Sequence, residues 1–267
     1  MANEKKEKLI LNAKPHTRMV VSAHQDDIEI MCPNGIVDCY DNDNEGLVGV
    51  VVTDGGGSPR AGAFANFTYD EMVAARRVEQ INAAKTGHFA ELDMLYYTSA
   101  QVKDKNNSDP VDDLYEILME NRPEILYTHN LADKHETHVA TALKVIAAVR
   151  RMPKELRPKQ FIGMECWRSL DWLSDNEKLT YDISGWEELL RKCLACHVSQ
   201  CAGGKTYDDA VEGRRIGHAT FSQSHAVDTA HSLALGLDMT PLVEDDSLDP
   251  REFILGKVEL FKSEILA

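Results

Sequence analysis

The sequence lacks a basic surplus. Its 267 residues hold 29 Lys and Arg against 44 Asp and Glu, a formal net charge of -15. A protein that grips a phosphate backbone needs a basic surface, so no nucleic-acid partner is expected. An anionic membrane surface is disfavoured for the same reason. No apolar run approaches the roughly 18 residues of a membrane span, so no stable membrane insertion is expected. The opening "MANEKKEKLILNAKPHTR" carries charge but no apolar centre, unlike a secretory signal. Six cysteines in a chain this long make no dense disulfide framework. Reduced thiols and a cytoplasmic location are expected. There is no repeat and no low-complexity tract.

What is present suits a folded α/β chain. Hydrophobic residues make up 43% and charged residues 27%. One unit over 1–267 is expected, with a core sheet at 17–167 and a mixed C-terminal lobe at 168–267. Apolar runs of strand length recur at 18–24, 47–55, 93–99, 124–130 and 160–167. They are continuous rather than alternating, as in strands buried on both faces. Helical patterns fall between them, at 69–86, 113–121 and 136–151. Two more follow at 185–197 and 250–266. In the first, Met72, Ala75, Val78 and Ala83 fall on one side. Alternating strands and helices predict a Rossmann-like open sheet, mainly parallel, flanked by helices, with strand order 3-2-1-4-5.

In such a sheet, ligands bind beyond the carboxyl ends of the strands, where the order reverses. The first run ends in "AHQDDIEI", with His24, Asp26 and Asp27. The second ends in Thr53-Asp54-Gly55. The fourth ends in Thr128-His129 and leads to "HETH", with His135 and His138. The first and fourth strands would be neighbours, so these groups would converge. Two histidines and a carboxylate with an open position form the ligand set of a catalytic zinc. Such an ion brings the pKa of its water to about 7. An aspartate left beside it is placed to act as general base.

"AHQDDIEI" resembles the AH-P-DD-E motif of the PIG-L (LmbE-like) zinc de-N-acetylases, and "HETH" resembles their H-P-D-H. "TDGG", the R-x-x-E of Arg76 and Glu79, "ECWRS" (165–169) and "HVSQ" (197–200) are further echoes. The resemblance runs from about residue 17 to the end, most strongly to 145. It implies a hydrolase that uses one Zn2+ per chain to remove the acetyl group of an N-acetylglucosamine-type amino sugar or its conjugate. His24, Asp27 and His138 would hold the metal, and Asp26 would activate water. His135 would stabilise the oxyanion or protonate the leaving amine, and Arg76 would help hold substrate. Two departures stand out. Gln25 replaces the usual proline, and Glu136-Thr137 replaces Pro-Asp. The aspartate so lost normally orients the adjacent histidine; Asp133 and Glu136 are candidates to replace it.

Other readings sit beside these. "DGGGSPRAG" (54–62) has neither a P-loop nor a dinucleotide fingerprint, and reads as a mobile loop near the site. Asp54 and Arg60 in it are candidates for substrate contact, Asp54 equally for a turn cap. Glu29 is either first-turn helix charge or a site residue. Arg76 and Glu79 could simply form an ion pair. "CLACH" (193–197) reads as core thiols rather than a haem site; a second zinc at Cys193, Cys196, His197 and Cys201 is the minor alternative. His225 reads as a surface or core histidine before a site residue. A zinc hydratase on the same fold and a non-catalytic sugar-binding module are the rival functions. Homo-oligomerisation is left open.

Overall fold

The computed structural model describes residues 6–202, 206–223 and 225–267. Its strands are β1 (Glu7–Ile10), β2 (Arg18–Ser22), β3 (Leu47–Thr53), β4 (Glu91–Tyr97), β5 (Ile125–His129), β6 (Gln160–Met164), β7 (Lys178–Asp182) and β8 (Leu233–Asp238). Helices α1 (Asp27–Met31), α2 (Pro33–Tyr40), α3 (Tyr69–Thr86), α4 (Ser99–Lys103), α5 (Asp109–Asn121) and α6 (Glu136–Arg151) lie in the first part. In the second lie α7 (Glu187–Ala195), α8 (Val198–Cys201), α9 (Tyr207–Thr220), α10 (Pro241–Glu244) and α11 (Pro250–Leu266).

The strands form one mixed sheet of eight, ordered β1-β4-β3-β2-β5-β6-β8-β7. This differs from the five-strand order expected. The continuous apolar runs supply the parallel stretch β4-β3-β2-β5-β6. The expectation left out three antiparallel strands. β1 and β7 are edge strands whose residues are only part-buried, so they carry no continuous apolar run. β8, "LALGLD", is apolar and buried, and pairs antiparallel with both β6 and β7. The segment 168–267 therefore completes the sheet as well as packing on it.

Along each strand alternate residues enter opposite cores, as the pleat requires. Val21, Val50, Leu126 and Phe161 pack on one side with Leu114, Val145 and Val149 of α5 and α6. Val20, Val51, Tyr127 and Ile162 pack on the other with Ile28, Ile36 and Leu190 of α1, α2 and α7. β3 is buried along its whole length.

Helix α3 begins with a full capping box, Thr68 and Glu71 each satisfying the other's backbone N–H. Its buried face differs from the apolar side expected. Met72 and Ala83 are buried, but Val78 is exposed, and Arg76, Glu79 and Gln80 are turned inward. The reason lies in what α3 covers: its inner face meets the polar ends of β2 and β3.

Candidate metal centre and active site

Strands β2 and β5 are parallel neighbours in register, Val21 opposite Thr128. Their carboxyl ends bring residues 23–27 against residues 129–138. Asp27 Oδ2 is the meeting point. It lies 3.2 Å from His24 Nδ1, 3.3 Å from His138 Nε2 and 3.4 Å from His129 Nε2. It also accepts the His24 backbone N–H at 2.8 Å. The Cys166 thiol donates to Asp27 Oδ1 (3.5 Å).

These spacings test whether a metal fits. Ligands held about 2.0–2.1 Å from a tetrahedral ion stand about 3.3 Å apart. The Asp27–His24 and Asp27–His138 separations match that edge. His138 is fully buried, and although Asp27 and Asp133 stand 3.3 and 3.5 Å from its ring nitrogens, neither nitrogen makes a well-aligned hydrogen bond. Donor atoms of His24, His135 and His138 cluster, as do those of His129, His138 and Cys166. Ring geometry separates them. An ion lies in the plane of each imidazole that binds it. His129 stacks on His138 at 3.9 Å and 18°, and His135 stacks on it at 4.4 Å and 21°. Nearly parallel stacked planes do not meet within bonding reach. His24 is tilted 52° to His138, and those planes can meet. The set His24, Asp27 and His138 could therefore hold a divalent ion.

The electrostatics agree. Burial would raise the Asp27 carboxyl, but the imidazoles of His138 and His129 hold it well below the usual range. Burial would lower His138, but Asp27 and Asp133 on either side lift it to about 9. A cation is thus favoured between those carboxylates, as a proton or as a metal ion. Asp26 is pushed up by burial and by Asp27, while Arg76 opposes the shift.

Asp26 and His135 flank this centre. Asp26 takes a left-handed backbone, φ 87°. Its Oδ1 lies 3.3 Å from Arg76 Nη2. His135 is the N-cap of α6; its Nδ1 accepts the Thr137 N–H at 3.3 Å. The neutral ring then carries its proton on Nε2. Burial and the neighbouring His138 and His24 lower His135 to about 4.

A cavity of about 620 Å³ opens above these groups, lined by His24, Asp26, Asp54, Arg76, His135 and Trp167 among others. A larger groove of about 930 Å³ lies alongside, between α4, α5 and α6, and shares Lys103 with it. That groove contains none of the three candidate ligands.

Not every residue singled out in the sequence reaches the cavity. Asp54 lines it and accepts from the Tyr69 hydroxyl (2.8 Å) and from Gly56 N–H. Arg60 instead donates to the carbonyls of Phe67, Ser58 and Gly56, bracing its own loop. Arg76 does not bond to Glu79; Glu79 accepts from the Ser199 N–H and hydroxyl. Glu136 is exposed, 3.5 Å from Lys103. Glu29 lies behind the site, 3.0 Å from His197. His225 is exposed. Among the described residues, Cys193, Cys196 and Cys201 join no cluster of metal donors. The sequence places His129 among the converging groups but gives it no role beside Asp27, and it does not point to the aromatic pair Trp167 and Tyr207 (ring centroids 6.0 Å apart) at the cavity. His129 had a signal, since it ends β5 as His24 follows β2.

The family model described as PIG-L, GlcNAc-PI de-N-acetylase, matches residues 19–149. Among solved structures, the conserved protein TT1542 of Thermus thermophilus superposes with TM-score 0.65 at 16% identity, covering 87% of this chain and 99% of that one. GalB, the 4-carboxy-2-hydroxymuconate hydratase of Pseudomonas putida, gives 0.64 at 15%, covering 83% and 95%. The N,N'-diacetylchitobiose deacetylase of Pyrococcus horikoshii gives 0.61 at 16%, covering 82% of each chain. At such identities these likenesses establish the fold. No curated protein sequence matches the chain. The matched segment holds both β2 and β5 ends and every group around Asp27 except Cys166, and residues 19–149 of the chain are a PIG-L family domain.

Proposed function

We propose that the protein is a zinc-dependent de-N-acetylase acting on an N-acetylglucosamine-type amino sugar or its conjugate. The observation that carries this reading is the placement of Asp27 Oδ2 at ligand spacing from both His24 and His138, with Asp26 and His135 on the same cavity. His24, Asp27 and His138 would hold the ion. When bound, zinc polarises a carbonyl and lowers the pKa of water toward 7.

The remaining chemistry belongs to the chain. Asp26 takes the proton of the attacking water and is held by Arg76. The tetrahedral oxyanion faces His135, whose Nε2–H donates to it. With Nδ1 engaged by Thr137, His135 acts as a neutral donor. The proton held on Asp26 is then the one delivered to the leaving amine. Arg76 and Asp54 line the substrate cavity, and Arg60 acts through the loop it braces. Trp167 offers a flat apolar face of the kind on which a sugar ring rests. All six cysteines are free, in keeping with a cytoplasmic protein. No described helix is long and apolar enough to cross a membrane.

A panel of N-acetyl sugars, assayed for free amine and acetate with metal content measured on the same sample, tests the reading. Release of neither product by metal-loaded protein counts against it. A second reading has one observation in its favour: GalB, a hydratase, shares the fold. Addition of water to 4-carboxy-2-hydroxymuconate, without amide hydrolysis, would select that reading instead.

A further inference from the structure

A non-glycine residue at positive φ persists only where its surroundings enforce that backbone. At Asp26 the enforcing contacts converge on one peptide group, the one joining Gln25 to Asp26. Its carbonyl accepts from Arg76 Nη2. Its N–H donates to Gln80 Oε1 at 3.2 Å. Arg76 and Gln80 are four residues apart on α3 and share a face, so one helix grips both ends of that peptide.

Gln80 is fixed in turn. Its Nε2 donates to Glu29 Oε1 at 3.0 Å, and Glu29 Oε2 meets His197 Nε2 at 3.0 Å. Gln80, Glu29 and His197 are each no more than 1% exposed. An amide can present either its oxygen or its nitrogen to a neighbour. A carboxylate only accepts, so Glu29 selects the NH2 end and turns the amide oxygen to the Asp26 N–H. His197 supplies the donor that holds Glu29. None of the three lines the cavity.

We propose that Gln80, oriented by Glu29 and His197, is a positioning residue that holds Asp26 in its working backbone conformation. This rests on Asp26 being the general base. It extends the site to His197, the N-cap of α8, and gives the 168–267 segment a part in positioning the base. It also explains why α3 buries polar groups where an apolar face would pack more simply.

Gln80→Met keeps the side-chain length and removes both hydrogen bonds. In a crystal structure of that variant Asp26 should leave the positive-φ region; Asp26 keeping that backbone overturns the proposal, and this arm needs no substrate. With N-acetylglucosamine and N,N'-diacetylchitobiose as probes, kcat should fall by about 10- to 100-fold, the scale set by small misplacements of a reacting group. KM and the zinc-to-protein ratio should not change. A merely structural role would lower Tm and leave kcat per folded molecule as it was, which also overturns the proposal. Should Gln80→Met fail to fold, two variants of His197 replace it. His197→Gln keeps a donor for Glu29 and should retain more turnover than His197→Phe; equal turnover in the two overturns the inference. Asp26→Ala separates the two levels. If it stays active, the base assignment itself falls. If it is inactive while Gln80→Met is normal, only the positioning role falls.

Discussion

Asp133 Oδ1 lies 3.5 Å from His138 Nδ1, on the far side of the ring from Asp27. The same carboxylate accepts the backbone N–H groups of His135, Trp167 and Arg168. It stands where the loop after β5 turns into α6. The "HETH" motif has no aspartate of its own, and Asp133 backs the candidate ligand from just upstream. The 3.5 Å gap is long for a hydrogen bond. It places a negative charge behind the ring, which favours a cation at Nε2. Carboxylates behind metal-binding histidines typically change metal affinity by about 10- to 100-fold. Asp133→Asn should weaken zinc by that amount, read by competition with a chelator. Unchanged affinity would leave Asp133 as a brace for the loop alone.

The ligands and the base should separate by metal content. His138→Ala removes one of three candidate ligands and should yield protein with little bound zinc. Asp26→Asn keeps the ligand set and should hold zinc at the level of the unmodified protein. Its turnover should drop by about 10²- to 10⁴-fold, the usual worth of a positioned base. Full zinc in His138→Ala, or near-full activity in Asp26→Asn, would reverse these assignments.

His135 should act on kcat as a hydrogen-bond donor. Its Nδ1 is engaged by the Thr137 N–H, and burial with neighbouring imidazoles keeps the ring neutral down to about pH 4. Removing one oxyanion donor typically costs about 10²- to 10³-fold in kcat. His135→Ala should show that loss with zinc retained. His135→Gln, which can place an N–H in the same direction, should recover part of it. Loss of zinc in His135→Ala would instead make His135 a ligand, against the stacking of its ring on His138.

Much of the site was legible because its chemistry clusters in two short segments, 24–27 and 135–138, at the ends of continuous apolar runs. Those runs were visible because a central parallel strand is buried on both faces, as β3 is. The edge strands β1 and β7 face solvent in part and carry no such mark. The groups behind the site were hidden for a different reason. Glu29 and His197 are 168 positions apart, and nothing local in either segment announces the pairing. Arg76 and Gln80 face inward on a helix whose burial does not follow hydrophobicity. Periodicity therefore assigned Val78 to the core, and it is half exposed.

Stability should respond to pH at a carboxyl far from the chemistry. Asp93 and Glu91 are two apart on β4 and so share a face, opposite the edge strand β1. Asp93 is only 3% exposed and its Oδ2 lacks a hydrogen-bond partner. Burial, then the adjacent Glu91, pushes its carboxyl up to about 8, with Lys8 opposing. The folded chain thus holds a proton that the unfolded chain, with an ordinary carboxyl near 3.8, has released. Between those two values the native state binds more protons, so stability must fall as pH rises through that window. The contribution is complete below the lower value and gone above the upper one. Asp93→Asn mimics the protonated form at every pH. Its melting temperature should sit near that of the unmodified protein around pH 4 and increasingly above it toward pH 8. A difference that stays flat across this range would mean that Asp93 is ionised in the folded protein, with Lys8 as its counter-charge.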